Sequence, residues 1–250
     1  MLNHPTMDKL YTLKCLGMAK ALEEQRGIPE TKALSFEERL GLLVDREITE
    51  REGRRLKTRL KAAKLRQSAC IEDIDFRHRR GLDKSLILSL ASSQWVQAHH
   101  NVLITGPTGV GKSFIASALG HKACREGYSA HYIRVPRLFS DLALAKGDGR
   151  YTKILSALAK KDLLVLDDWG FAALTEEHRK DFLEVVEDRY DCRSTVMISQ
   201  VPIEHWHTTI GDPTLADAIL DRLIHNAYKI NLKGDSMRKK LHSLTQTDQL

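Results

Sequence analysis

Residues 106–113 read Gly-Pro-Thr-Gly-Val-Gly-Lys-Ser and connect a short apolar run, residues 101–105, to a stretch with helical spacing. Glycines let the backbone wrap closely around an anion, so that N–H groups and the positive end of a helix dipole face it. In this context we expect Lys112 to reach the β- and γ-phosphates of a nucleotide and Ser113 to give Mg²⁺ an oxygen ligand. The residues predicted to bind the phosphates are Gly106, Pro107, Thr108, Gly109, Val110, Gly111, Lys112, Ser113 and Phe114.

A second part of the predicted site is the run Asp-Leu-Leu-Val-Leu-Asp-Asp at residues 162–168. Continuous apolar content is typical of a strand buried on both faces, and in parallel α/β proteins the carboxyl end of such a strand meets the P-loop. We expect Asp167 to hold Mg²⁺ through water and Asp168 to polarise the attacking water. A strand followed by an acidic turn is common by itself, but its place after a P-loop makes the signal strong.

Polar and cationic residues further along the chain could complete this site. Residues 194–200 predict another strand that ends in Ser199 and Gln200, and either side chain could reach the γ-phosphate or the attacking water. Arg222 and Arg238 are always charged and can bind phosphate oxygens through two N–H groups, which suits the charge that develops during phosphoryl transfer. Spacing alone leaves both arginines equally consistent with the protein surface.

Periodicity and cap signals predict the elements that must position these residues. Apolar spacing predicts one short helix over residues 6–25, and the sequence Ser35-Phe-Glu-Glu38 has the form of a capping box that starts a longer helix. Residues 68–100 are turn-like at first and then place apolar residues on one helix face, so we interpret them as a linker. The predicted domains are a helical domain at 1–67, this linker, and a nucleotide-binding domain at 101–250.

The longer helix changes character after its first turns, because basic residues there far outnumber acidic ones. A solvated helix face is the ordinary explanation of such a run, but here it carries most of the positive excess of a chain with formal net charge +6. We therefore predict contact with the phosphate backbone of duplex DNA, and the lack of interleaved aromatic residues argues against stacking on single strands. The predicted DNA-binding residues are Arg46, Arg51, Arg54, Arg55, Lys57, Arg59, Lys61 and Lys64.

Composition excludes several other classes of protein. Of the 250 residues, 42% are hydrophobic, which suffices for a core, yet no apolar run is long enough to cross a bilayer and no signal-peptide pattern begins the chain. The four cysteines are widely spaced, which argues against a zinc site or a disulfide framework. We expect a soluble, cytoplasmic protein.

Several strings together resemble the IstB-type helper ATPases of bacterial insertion sequences, a branch of the AAA+ ATPases close to the bacterial replicative-helicase loaders. The resemblance covers nearly the whole chain, and the P-loop is its least selective part. The strings that carry it are FEERL from residue 36, LVDR from 43, GPTGVGKS from 106, LLVLDDWG from 163, ISQVP from 198, ADAILDRL from 216 and KGDSMR from 233.

This resemblance implies an α/β fold: a three-layer AAA+ P-loop core with parallel strand order 5-1-4-3-2, a small all-helical N-terminal domain before it, and a truncated lid. It implies ATP and Mg²⁺ as cofactors, and a homo-oligomeric ring or spiral that captures and deforms duplex DNA and recruits and stimulates a partner transposase. Residue by residue, Gln200 matches the first sensor, Arg222 the finger that completes a neighbour's site, and Arg238 the second sensor.

Two departures from the family pattern and two alternatives remain at this point. Asp168 stands where many AAA+ proteins have Glu, which suggests slow turnover, and the short C-terminal part suggests easy release of nucleotide. A helicase loader shares the core but needs a helicase-docking element and favours single-stranded DNA. A small-molecule P-loop kinase would need an acceptor pocket and a closing lid, for which we find no candidate in the sequence.

Overall fold

The computed structural model describes residues 5–237 and divides the chain into two compact units, Met1–Thr58 and Arg59–Leu250. The division falls within one long helix, Phe36–Ala63. Within residues 5–237, no helix combines the length and the apolar content that a membrane span requires.

The first unit is helical. Helices α1 (Pro5–Thr12) and α2 (Leu16–Gly27) are followed by a 3₁₀ turn, Pro29–Ala33, and by the long helix α3 (Phe36–Ala63). The single helix predicted over residues 6–25 is wrong, because Lys14 adopts the left-handed conformation with φ 58° and interrupts the helical backbone. The capping box is confirmed: Glu38 N–H donates to Ser35 Oγ at 3.2 Å, and Ser35 N–H donates to Glu38 Oε2 at 2.8 Å.

A buried carboxylate joins α2 to α3. Glu47 Oε2 accepts hydrogen bonds from the N–H groups of Gly17 at 2.6 Å and Met18 at 3.1 Å, where α2 begins, and Arg51 Nε donates to Glu47 Oε1 at 2.6 Å. Burial opposes the charge, but these hydrogen bonds outweigh it and lower the pKa of Glu47. Gly17 allows the close approach, because a Cβ there would lie 2.6 Å from the carbonyl oxygen of Arg46.

A five-stranded parallel sheet forms the centre of the second unit. Its strands are β1 (Asn101–Thr105), β2 (Ala130–Arg134), β3 (Leu163–Trp169), β4 (Ser194–Ser199) and β5 (Ala227–Asn231). The strand order across the sheet is β5-β1-β4-β3-β2, all pairs parallel, which confirms the order that the resemblance implied. The three central strands are buried on both faces, as their apolar runs predict.

Helices cover both faces of this sheet. Helix α6 (Lys112–Arg125) packs on one face. The other face packs on α7 (Val135–Gly147), α8 (Tyr151–Ala159), α9 (Glu176–Glu187), α10 (Trp206–Ile210) and α11 (Pro213–Ile224). The core on the face that packs on α7 to α11 includes Leu103, Leu166 and Met197 from the central strands. Side chains alternate between the two faces along a strand, so the residues next to these three in the sequence point toward α6. The result is the three-layer α/β core that was expected.

Residues 59–100 belong to the second unit, which differs from the predicted linker at 68–100 and the predicted domain limit at 67. This segment contains a 3₁₀ turn (Ile71–Asp73) and helices α4 (Lys84–Leu90) and α5 (Gln94–Gln97). The residues predicted to form one helix face belong to two helices, because Ser93, with φ 57°, interrupts the helical backbone between α4 and α5. The segment is packed because its apolar side chains are buried: Ile71, Ile74, Ile87, Leu90, Trp95 and Val96.

We expect Glu47→Gln to loosen the start of α2, because a neutral amide loses the charge-assisted hydrogen bonds from two N–H groups and an arginine. Hydrogen exchange of the Gly17 and Met18 amides should become about tenfold faster. Glu52→Gln, an exposed change on the same helix, should leave these rates unchanged.

The dependence of hydrogen exchange on pH gives a second check on the role of Glu47. Since the pKa of Glu47 in the folded protein lies below the ordinary glutamate value of 4.5, its contribution to stability is complete above pH 4.5 and is lost as pH falls through the folded pKa. Protection of the Gly17 and Met18 amides, meaning the intrinsic exchange rate at each pH divided by the observed rate, should therefore fall at low pH toward that of Glu47→Gln. Equal rates for the two proteins at neutral pH would contradict this role.

Candidate nucleotide-binding site

The turn between β1 and α6 is a glycine-rich loop that leads into the first turn of α6. Gly109 has φ 87° and Gly111 has φ 98°, both in the region that favours glycine, and Lys112 opens α6. The Lys112 ammonium is buried and donates to the carbonyls of Gly106 at 2.6 Å and Pro107 at 2.7 Å. These features fit a phosphate cradle that closes around its own lysine.

The chain after β5 lies against this loop. Leu232 N–H donates to the Thr105 carbonyl at 2.8 Å, and Met237 N–H donates to the Gly109 carbonyl at 2.9 Å. A Cβ at Gly109 would lie 2.1 Å from Ser236 Oγ, so this glycine is required by close packing as well as by its φ angle. Arg238, the predicted second sensor, lies outside the described residues.

The carboxylate of Asp167 is the most heavily hydrogen-bonded group of the site. Its Oδ2 accepts from Ser113 Oγ at 2.8 Å, from Arg66 Nη1 at 3.0 Å and from the hydroxyl of Tyr132, and its Oδ1 accepts from the N–H of Asp168 at 2.7 Å. Burial and the bond to Asp167 raise the pKa of Tyr132 well above its usual range, so this hydroxyl stays neutral and donates. The adjacent oxygens of Ser113 and Asp167 are hard ligands that fit Mg²⁺.

Asp168 occupies a β-bulge at the end of β3. Leu166 pairs with Met197 and Trp169 with Ser199, so two residues of β3 face one of β4. Asp168 has φ 60°, a left-handed conformation that Asp adopts more readily than most residues. Its Oδ2 accepts from Arg134 Nε at 2.6 Å. The bulge brings both carboxylates to the same cavity, which strict alternation along a strand would not do.

The two candidates for the first sensor, Ser199 and Gln200, have different surroundings. The Ser199 hydroxyl is buried, donates to the Trp169 carbonyl at 2.8 Å and accepts from Val201 N–H at 2.9 Å. Gln200 is exposed, and its Oε1 accepts from the P-loop hydroxyl of Thr108 at 2.7 Å. Ser199 thus holds neighbouring strand ends together, while the amide of Gln200 faces the P-loop.

These groups border one cavity of about 670 Å³, a size that suits a nucleotide. Its walls combine P-loop residues, the two aspartates, the end of β4, and residues of the segment after α3. The lining residues are Arg66, Gln67, Asp73, Asp75, His78, Arg80, Thr108, Gly109, Gly111, Lys112, Ser113, Phe114, Asp167, Asp168, Ile198, Ser199, Gln200 and Met237.

Four residues of this site were not found as site residues in the sequence. Arg66 and Arg80 lie beyond the residues predicted to bind DNA, and Tyr132 and Arg134 have no predicted role. Tyr132 and Arg134 are the middle and last residues of β2, which pairs with β3, and this adjacency is the signal that could have pointed to them. No comparable signal exists for Arg66 and Arg80, because they come from outside the sheet.

Arg80 supports the P-loop from behind. Its Nη1 donates to the Val110 carbonyl at 2.9 Å and its Nη2 donates to the Asp75 carbonyl at 3.0 Å, and the side chain is buried. Burial lowers the pKa of Arg80 from its ordinary value, yet the group remains a cation at neutral pH. A side chain so enclosed cannot contact DNA, so the charge of Arg80 has a structural role.

Arg222 lies at the amino ends of the strands, whereas the P-loop lies at their carboxyl ends. Asn101 Nδ2, at the start of β1, donates to the Arg222 carbonyl at 3.2 Å, whereas the P-loop follows the end of β1. The Arg222 side chain pairs with Glu187 Oε2 at 2.5 Å and donates to the Ala218 carbonyl at 2.8 Å. Arg222 is absent from the lining of the described cavity.

The predicted DNA-binding residues fall into two groups. Arg46 pairs with Glu24, and Arg51 and Arg54 pair with Glu47. Arg59 is half-buried and donates from Nε to the Cys124 carbonyl at 3.0 Å. The remaining side chains are exposed and form no ion pair or hydrogen bond with any other residue in the range 5–237: Arg55, Lys57, Lys61 and Lys64.

We expect Arg80→Met to weaken nucleotide binding about tenfold, because the Val110 carbonyl loses its donor and the P-loop loses a rigid support. A fluorescent ATP analogue titrated against each protein measures the effect. Arg79→Met, an exposed change next in the chain, should bind as the wild type does. Unchanged affinity in a folded Arg80→Met protein would contradict the supporting role.

Comparisons with known proteins agree with this geometry. A protein of Sinorhizobium fredii, named as an insertion sequence ATP-binding protein, is 54% identical over 239 residues, which cover 96% of this chain and 98% of that relative. The structure of DnaI gives a TM-score of 0.56 at 21% identity and covers 66% of this chain and 91% of its own. The DnaC helicase loader gives 0.55 at 19% identity, covering 68% and 100%.

The two structural likenesses show the fold alone, an α/β core with a parallel sheet and a P-loop. The family model described as IstB-like ATP binding protein matches residues 8–245. Together with the 54% identity, this match shows that the chain belongs to the family of IstB-like ATP-binding proteins.

Proposed function

We propose that this protein is an ATP-dependent transposition helper: it binds ATP and Mg²⁺, assembles on duplex target DNA, deforms that DNA, and recruits and stimulates a partner transposase. The observation that carries the proposal is the placement of two complementary parts at opposite ends of the strands of one sheet. A phosphate cradle with two carboxylates lies at the carboxyl ends, and Arg222 lies at the amino ends.

The nucleotide site supports slow hydrolysis of ATP. Ser113 and Asp167 would hold Mg²⁺, which when bound neutralises charge on the phosphates. Lys112 turns from the P-loop carbonyls to the phosphates, and Gln200 orients the attacking water. Asp168 accepts the proton of that water as its oxygen bonds to the γ-phosphorus and the bond to the β-phosphate oxygen breaks. Arg134 restrains Asp168 by a 2.6 Å contact, which fits low basal activity.

The position of Arg222 supports a role in a neighbouring copy. Strand β1 has five residues, so its two ends are about 13 Å apart at about 3.3 Å per residue. Arg222 is bonded at the start of this strand and points to Glu187, so it cannot reach the phosphates of its own subunit without rearrangement. In an assembly, ATP draws Arg222 to the γ-phosphate of the next subunit and closes an interface that ADP holds less well.

The exposed cations of α3 and of Lys64, the residue that follows it, support DNA contact. Arg55 and Lys57, with Lys61 and Lys64, keep their charges in solvent, where they can neutralise backbone phosphates. Arg46, Arg51 and Arg54 already face carboxylates, so each adds less to the attraction. Aromatic side chains do not alternate with these cations, which favours duplex backbone over stacked single-stranded bases.

A helicase loader is the alternative function, and the structural likeness to the DnaC helicase loader is the observation that favours it. Both functions use the same core, so the nucleic acid distinguishes them. A filter-binding assay with single- and double-stranded DNA of equal length should show preference for the duplex. Preference for single strands, together with binding to a replicative helicase, would favour the loader.

We expect Arg222→Ala to prevent ATP-dependent assembly on duplex DNA, raising the protein concentration needed for half-maximal assembly at least about tenfold. Electron microscopy with ATP and with ADP measures assembly. Nucleotide affinity of the single subunit should not change, because Arg222 lies outside the cavity.

Glu187→Gln is the control for the Arg222 variant. It breaks the same ion pair but keeps the arginine, so the variant should assemble as the wild type does. If Arg222→Ala still forms ATP-dependent assemblies on DNA, the role of Arg222 in a neighbour's site is wrong.

We expect Arg55→Gln to lower duplex affinity and to reduce the slope of log affinity against log salt by about 1, because one phosphate contact is lost. Arg46→Gln removes the same charge from the same helix. Because Arg46 lies 3.6 Å from Glu24, its loss should reduce the slope by clearly less. Equal slopes for Arg55→Gln and the wild type would exclude Arg55 from the DNA interface.

A further inference from the structure

Arg66 places a positive charge where the proposed function requires a metal ion. Its Nη1 lies 3.0 Å from Oδ2 of Asp167 and 4.0 Å from Oδ2 of Asp168, and its side chain forms part of the cavity wall. The position is built by the fold: Lys64, with φ 51°, turns the chain after α3, and Leu65 packs on α6 at Gly120.

One oxygen of Asp167, Oδ2, has no acceptor site to spare. Each carboxylate oxygen offers about two lone-pair directions, and three donors already crowd those of Oδ2: Ser113, Arg66 and Tyr132. Asp167 is only 2% exposed, so solvent cannot easily replace a donor. A metal ion, or a water that it holds, can approach this oxygen, the one that faces Ser113, only when one donor leaves.

Arg66 is the donor that can leave. Tyr132 is buried on β2, and Ser113 is itself a ligand in the proposed site. The Arg66 side chain is 37% exposed and can swing into the cavity or the solvent without disturbing the sheet. Its charge also has the sign that a divalent cation would repel and replace.

We propose that Arg66 competes with Mg²⁺ for Asp167, so that loading of the nucleotide site requires displacement of this arginine. The inference rests on the magnesium site of the proposed function and adds a regulatory contact to it. Arg66 lies three residues after the end of the basic helix α3. The contact therefore links occupancy of the nucleotide site to the position of the segment that follows this helix.

Arg66→Gln tests the competition through binding and without turnover. We expect the Mg²⁺ concentration for half-maximal binding of a fluorescent ADP analogue to fall about fivefold, because a partly exposed ion pair no longer opposes the ion. Mn²⁺ in place of Mg²⁺ gives a second readout, since its electron paramagnetic resonance signal reports occupancy directly. Binding of the analogue in EDTA should stay within about twofold of the wild type.

Three further variants complete this test. Arg66→Lys keeps a cation at the carboxylate, so its Mg²⁺ requirement should stay within about twofold of the wild type. Arg77→Gln removes an exposed charge outside the cavity wall and should change nothing. Should Arg66→Gln lose its fold, Arg66→Met keeps the aliphatic stem and gives the same comparison.

Several results would overturn the inference. An unchanged Mg²⁺ requirement in folded Arg66→Gln would show that the contact does not oppose the ion. A higher requirement with weaker binding in EDTA would make Arg66 a phosphate ligand instead. Nucleotide binding that ignores Mg²⁺ in the wild type would exclude the competition altogether. Failure of the transposition role would appear separately, in the DNA assembly assay, with these binding results unaffected.

Discussion

The buried carboxylate of Asp167 is the group on which the arrangement of the nucleotide site depends. Four different parts of the chain donate to it: α6 through Ser113, β2 through Tyr132, the β3 bulge through Asp168, and the segment after α3 through Arg66. A buried charge with fewer donors would be costly, so the fold surrounds it with them. Each donor is thereby brought within a few ångströms of the P-loop, and the same carboxylate that organises the site limits access to it.

The parallel sheet imposes a second constraint, because the ends of its strands are chemically different. The carboxyl ends gather the P-loop, the two aspartates and Gln200, whereas the amino ends carry Arg222. No rotation of one side chain can bring these two groups together across the length of β1. The proposed assembly, in which the amino ends of one subunit's strands meet the carboxyl ends of the next subunit's strands, would satisfy this geometry and would couple nucleotide state to assembly state.

Much of the core could be predicted because its signals are local. The P-loop motif, the apolar runs of β1, β3 and β4, and the capping box at Ser35 depend on neighbours a few residues away. The strand order could be predicted only through the family resemblance, since no local pattern encodes it. Local rules failed at Lys14 and Ser93, where single left-handed residues split predicted helices without any glycine to mark them.

The amino-acid sequence by itself therefore determined the kind of site: a phosphate loop, a pair of carboxylates, and cations in excess. Only the tertiary structure decided which cation does what. Arg80 supports the P-loop, Arg66 pairs with Asp167, Arg222 lies at the amino ends of the strands, and Arg55 is exposed to solvent. The physical reason is that a charge acquires its role from burial and from partners distant in the chain, and residue type carries neither.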